Sequence, residues 1–162
     1  EAGAEFDIRP IAPCEARRIE GGIFNYGSDI RPGDTPFHVM GLERLVEEQP
    51  QDYIGKDALE ALGANGVDRK LVGIELDGDE LRAEMSEYWY VSSGGEQVGH
   101  MTDAVWSPGL KKNIGYVWVP IALAEPGNRL DVETEDGEHL VGVTSVIPFV
   151  DPRKERPAAT LR

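Results

Sequence analysis

In the second half of the chain, short apolar alternations are cut repeatedly by turn residues, and this punctuation limits the fold more than any other feature. Residues 71–76 alternate with period two and stop at the acidic turn Asp77, Gly78, Asp79 and Glu80. Residues 87–91 run into Ser92, Ser93, Gly94 and Gly95 and resume at 97–99. Paired glycines tolerate the positive φ angles of a tight hairpin turn, so a hairpin is expected there. Further strands are expected at 113–119, 129–134 and 139–146, with Pro126 and Gly127 marking one loop and 135–138 another. Six or so short strands at this spacing make a small antiparallel barrel or sandwich.

The first half is helical in outline. Pro10 and Pro13 keep 1–13 from being helical throughout, and a helix begins near Cys14. Ala16, Ile19, Ile23 and Phe24 fall close to one helical face, and Glu20 sits beside it. The pair Gly21 and Gly22 costs a helix about 1 kcal/mol per residue relative to alanine, so it either admits a close neighbour, backbone or ligand, or frays the helix end. A carboxylate beside such a gap suits recognition of a flat, hydrogen-bonding heterocycle. A capped helix with one exposed acid is the ordinary alternative. Residues 27–36 read as a loop, 37–46 as a strand, and 47–52, with Pro50, as a boundary. A short helix over 53–63 stops at Gly63 or Gly66. The basic tail 152–162 reads as a mobile terminus.

Charge and cysteine usage narrow the function. Sixteen Lys and Arg against thirty Asp and Glu give a net charge of −14, which opposes attraction to nucleic-acid phosphates and anionic lipid. With no apolar run of bilayer length and no basic-then-apolar leader, the expectation is a soluble protein with no membrane partner. Cys14 is the single cysteine, which excludes an internal disulfide and a cysteine metal cluster and favours a cytoplasmic setting. His38, His100 and His139 lack metal-ligand spacing, so no metal site is expected. The common nucleophile and phosphate-loop signatures are missing as well. Trp89, Trp106 and Trp118 all lie among the strands and read as core or cross-strand pairs.

One ordered set of short motifs goes further. Arg18, Ile19, Glu20, Gly21 and Gly22, then Tyr26 and Gly27, Asp29 and Ile30, and Thr35 and Pro36 resemble a run of the glycine cleavage system T protein, the folate-dependent aminomethyltransferase. Gly41 and Leu42, 53–56, 69–73, Val98 and Gly99, Ser107 and Pro108, Asn113 and Ile114, and Pro148 and Phe149 follow in the family's order. The set spans most of 16–150. Residues 25–29 and 113–116 look closer to the T-protein-like demethylases, the group that includes dimethylsulfoniopropionate demethylase.

The resemblance implies an α+β fold, with 1–52 the end of a folate-binding body, 53–151 a small antiparallel β-barrel led by a short helix, and 152–162 a tail. It implies tetrahydrofolate as acceptor of a one-carbon unit from a small-molecule methyl or aminomethyl donor. Glu20 matches the family's pterin-binding carboxylate, and Tyr26 its Tyr-Gly pair, a wall or support of the cofactor site. The chain departs from the family at Arg44, where the T protein has a tryptophan, and at 47–50, where a folate-contacting arginine has no counterpart. The long N-terminal portion with the catalytic aspartate is not in this sequence. The expectation is therefore a C-terminal fragment or one piece of a split protein, inactive alone, without catalytic residues, and completed by the N-terminal portion or a partner chain. A different class of function, a non-catalytic folate-binding or partner-binding assembly module, is suggested by Ile19, Ile23 and Phe24, which have no obvious apolar layer to meet within 1–50.

Overall fold

The computed structural model describes residues 4–7, 12–47, 49–83, 85–153 and 155. Six antiparallel strands, β1 (Arg69–Leu76), β2 (Trp89–Ser93), β3 (Glu96–Ser107), β4 (Lys112–Pro120), β5 (Arg129–Glu133) and β6 (His139–Ser145), close into a barrel in the order β1-β4-β3-β2-β5-β6. β6 pairs back onto β1, with Gly73 opposite Ser145 and Leu76 opposite Gly142, so the sheet has no open edge. The expected hairpin is β2–β3, turning at Gly94 and Gly95 with φ of 62° and 85°.

Alternation sorts the side chains onto two surfaces. Val72 and Ile74 of β1, Val117 and Val119 of β4, and Val91, Met101, Leu130 and Val132 fill the interior. Leu71, Ile114, Tyr116 and Trp118 belong to a second cluster on the outer face of β1 and β4, where Ile19 and Val39 cover them. Both faces of β4 are therefore buried, which explains its nearly unbroken apolar run.

The covering layer comes from the first half of the chain. α1 (Glu15–Glu20) begins after the extended Cys14 and ends in a Schellman closure, Gly22 N–H to the Ile19 carbonyl and Ile23 N–H to the Arg18 carbonyl. Gly22 holds φ +69°, and a Cβ there would lie 2.6 Å from Ile147 Cγ2. The glycine pair thus admits a close neighbour, and that neighbour is the chain leaving β6. Ile23 and Phe24 lie beyond the helix end, not on its face as the spacing suggested.

The strand expected over 37–46 does not form. A short 3-10 helix, Pro36–His38, gives way to one parallel bridge between Val39 and Leu71, and then to α2 (Arg44–Glu47). Gly41, at φ +84°, turns the chain away before a ladder can extend. α3 (Lys56–Asn65) ends at Gly66, one of the two stops expected, but begins after Gly55 in a left-handed conformation. Of the lead-in, Ala4–Phe6 form a single 3-10 turn, while 1–3 and 8–11 lie outside the described residues. The expected tail also lies outside them, save 152, 153 and 155.

Candidate functional site

Glu20 is the last residue of α1, half-buried at the seam between the helix and the barrel. Its backbone carbonyl accepts the Val150 N–H at 3.1 Å, which ties the helix end to the segment after β6. Its carboxylate reaches the β3–β4 turn, where Ser107 Oγ donates to Oε1 at 2.5 Å. A Cβ on Gly109 of the same turn would stand 3.3 Å from that oxygen. Among the described residues Oε2 takes no hydrogen bond, so the side chain is held by one oxygen and offers the other.

Immediately inward lies an ion cluster that the sequence reading did not single out. Arg18 donates from Nε to Glu15 Oε2 at 2.6 Å, from Nη1 to Asp29 Oδ2 at 2.8 Å, and from Nη2 to Asp103 Oδ2. Nη1 also donates to the Ile23 carbonyl at 2.9 Å, and the guanidinium stands over the Tyr116 ring. Asp29 is fully buried and richly supplied: besides Arg18 it accepts from Thr102 Oγ1 at 2.7 Å and Asn25 N–H at 2.7 Å. Its backbone carbonyl takes the Trp118 Nε1–H at 2.9 Å. A register shift in β3 between Met101 and Asp103 makes this possible. The bulge lets the neighbours Thr102 and Asp103 both reach the α1 side.

Electrostatics follow from the geometry. Burial pushes the Asp103 carboxyl up to about 6, Arg18 pulls it down, and Asp29 and Glu15 push it further up. Burial alone would depress the Arg18 guanidinium, but the bond to Glu15 and the charges of Asp29 and Asp103 outweigh it, and its pKa is raised. The Tyr116 hydroxyl, which donates to the Ile19 and Ile23 carbonyls, is held well above the usual phenol range, chiefly by burial.

Tyr26 stands elsewhere. It is 75% exposed and bridges to Ile30 within the turn after α1. The structure thus brings Glu20 to Ser107 and leaves Tyr26 on an open surface. Next to Gly21 and Gly22 a cleft of about 500 Å³ opens between Phe24, Leu42, Ile147 and Pro148, with Arg44 and Arg153 on its rim. Among the described residues no cluster of His, Cys, Asp and Glu could hold a metal ion, and no helix is long and apolar enough to cross a membrane.

Arg18, Asp29 and Ser107 all stand in the family-like motifs, but their roles are not visible there, because their side-chain partners lie up to 87 residues away in the chain.

These features define an α+β protein built on a closed six-stranded barrel with a helical segment docked outside it. Residues 69–151, half of the chain, match the glycine cleavage T-protein C-terminal barrel domain. An aminomethyltransferase of Parasynechococcus marenigrum (strain WH8102) is 38% identical over 131 residues, covering 77% of this chain and 35% of that protein. The dimethylsulfoniopropionate demethylase DmdA of Ruegeria pomeroyi is 32% identical over 142 residues, 88% of this chain and 38% of the relative. The crystal structure of the glycine cleavage system aminomethyltransferase T from Bartonella henselae shares the fold, with a TM-score of 0.67 at 20% identity over 85% of this chain and 38% of that one. The chain belongs to the glycine cleavage T-protein C-terminal barrel family. It spans little more than a third of the relatives it matches. Both aminomethyltransferases and a demethylase stand among those relatives.

Proposed function

We propose that the chain is the C-terminal part of a tetrahydrofolate-dependent methyl- or aminomethyltransferase, and that Glu20 holds the pterin. The observation that carries this reading is the state of the Glu20 carboxylate, fixed at Oε1 by Ser107 and open at Oε2. A carboxylate so placed can accept two parallel N–H bonds from an aminopyrimidine edge, and charge-assisted bonds of this kind are the strong ones. Tetrahydrofolate, when bound, accepts the one-carbon unit. Glu20 orients the ring, and the Arg18 cluster keeps the helix that carries Glu20 against the barrel. Tyr26, exposed here, acts as a wall of the site once the rest of the family's length covers it.

The methyl or aminomethyl donor is handled by that remaining length, supplied by an N-terminal portion or a partner chain, and the present chain alone is inactive. The setting is cytoplasmic, with no nucleic-acid or membrane partner, in keeping with the net charge of −14 and the single cysteine. The rival reading, an assembly module, rested on unpartnered apolar residues. Ile19 is fully buried on the barrel and the Phe24 ring lies 4.9 Å from that of Tyr116, which leaves only Ile23 of the three, at 60% exposure, to argue for it.

Titration calorimetry with tetrahydrofolate on the full-length protein tests the proposal. Each charge-assisted bond is worth about 1.5–3 kcal/mol, so Glu20→Ala, which removes the pair, should weaken binding by roughly 10- to 100-fold or more. Unchanged affinity would sink it.

A further inference from the structure

We infer that Ser107 is the positioning residue of the pterin site, fixing the Glu20 carboxylate so that it meets its ligand as an acceptor only. The inference rests on the folate reading above. Ser107 is fully buried at the end of β3. Its backbone carbonyl accepts the Lys111 N–H at 2.7 Å, and its Oγ accepts the Leu110 N–H at 3.0 Å. These two bonds lock the β3–β4 turn onto Ser107. With Leu110 occupying the acceptor side of Oγ, the hydroxyl proton is directed to Glu20 Oε1 at 2.5 Å. A buried hydroxyl left without that acceptor would be costly, so the contact holds from both sides.

The consequence is directional. Glu20 is the last helical residue, its carbonyl tied to Val150 and its carboxylate to Ser107, so three separate elements fix one side chain. Because Ser107 spends its only proton on Oε1, Oε2 is the oxygen left open, and as a carboxylate oxygen it can only accept. The carboxylate so held selects a ligand edge carrying adjacent N–H donors and disfavours an edge that presents a lone pair. Without Ser107 the carboxylate has other rotamers open to it, and binding must first order the side chain.

A double-mutant cycle in the full-length protein decides this, with tetrahydrofolate as the probe. Ser107→Ala should weaken binding roughly 5- to 30-fold on its own, and should change nothing further in a Glu20→Ala background. Loss with Glu20→Ala but none with Ser107→Ala overturns the role of Ser107 and leaves the folate reading standing. Loss with neither removes both. An equal effect of Ser107→Ala in the two backgrounds means a general loosening of the turn and also overturns the inference. A second measurement does not depend on how well Ser107→Ala folds. In the wild-type protein the Ser107 hydroxyl proton should be protected from exchange and visible downfield by NMR. It should vanish in Glu20→Ala and shift when tetrahydrofolate is added. A signal missing from the wild type, or unmoved in Glu20→Ala, counts equally against it.

Discussion

One guanidinium serves three carboxylates in this fold, and burial raises the pKa of one of them, Asp103. Its pKa is raised from the ordinary 3.8 to about 6 by burial, with Asp29 and Glu15 adding to the rise and Arg18 opposing it. A carboxyl whose folded pKa is raised binds its proton more tightly in the native state. Its contribution is therefore fully present below the unfolded pKa and is lost as pH rises through about 6. The midpoint of thermal unfolding should accordingly carry a falling limb between about pH 4 and pH 7, assigned to Asp103. Asp103→Asn removes the titration and should flatten that limb, leaving the variant at least as stable as the wild type above it. A limb unchanged in the variant would place the titration on another group. None of this could be read in the chain. Arg18 and Asp103 are 85 positions apart, and the bulge that turns Asp103 toward α1 carries no turn residue to announce it.

Among the elements, α1 shows how far local rules reach. The glycine pair was legible as a helix end, but which glycine does the work follows from the backbone. Gly21 keeps helical angles, φ −82° and ψ −4°, whereas Gly22 adopts φ +69° against Ile147 and Pro148. Gly22→Ala should cost about 2–4 kcal/mol, combining left-handed strain with the clash. Gly21→Ala, whose Cβ comes nearest the Arg17 carbonyl at 3.2 Å and otherwise makes ordinary contacts with the Arg18 carbonyl and Ile23 Cδ1, should stay within about 1 kcal/mol of wild type. Denaturant unfolding of the two variants makes the comparison, and equal costs would contradict it. The strands were legible for a related reason. Their turns carry glycine, proline and acid, and the six expected runs fall on β1–β6, five of them within a few residues, whereas β3 continues to Ser107, well past the expected 97–99. The segment 37–46 misled because alternation without a ladder partner is not a strand. Only Val39 found one, and Gly41 ended the pairing. Motifs mark both Glu20 and Ser107, but the contact between them is visible only when the β3–β4 turn is folded against the helix.

For the molecule as a whole, the division of the core decides what the barrel needs from the rest of the chain. The inner cluster, including Val72, Val91, Met101 and Val117, is built almost entirely from strands. The outer one, Leu71, Ile114, Tyr116 and Trp118, is completed by Ile19 and Val39 from the segment before the barrel. We propose that 53–151 is a domain in its own right and that 1–52, the end of the folate-binding body, supplies the cover of its outer face through Ile19 and Val39. A chain cut to 53–153 should then keep the β-sheet circular dichroism of the closed barrel while exposing the outer cluster. Loss of Ile19 alone is worth about 2–5 kcal/mol at a fully buried site, so the cut barrel should unfold at distinctly lower denaturant and bind a hydrophobic dye. Two tryptophans separate the effects. Trp118 loses its bond to the Asp29 carbonyl and its cover, so its emission should move to the red, while Trp89, packed in the inner cluster, should not. If the cut chain instead loses its β signal altogether, the two clusters form one cooperative core and the barrel is not separable from the helix that carries Glu20. That outcome would also tie the proposed pterin contact to the stability of the barrel, because Ser107 and Glu20 would then be held by the same folding transition.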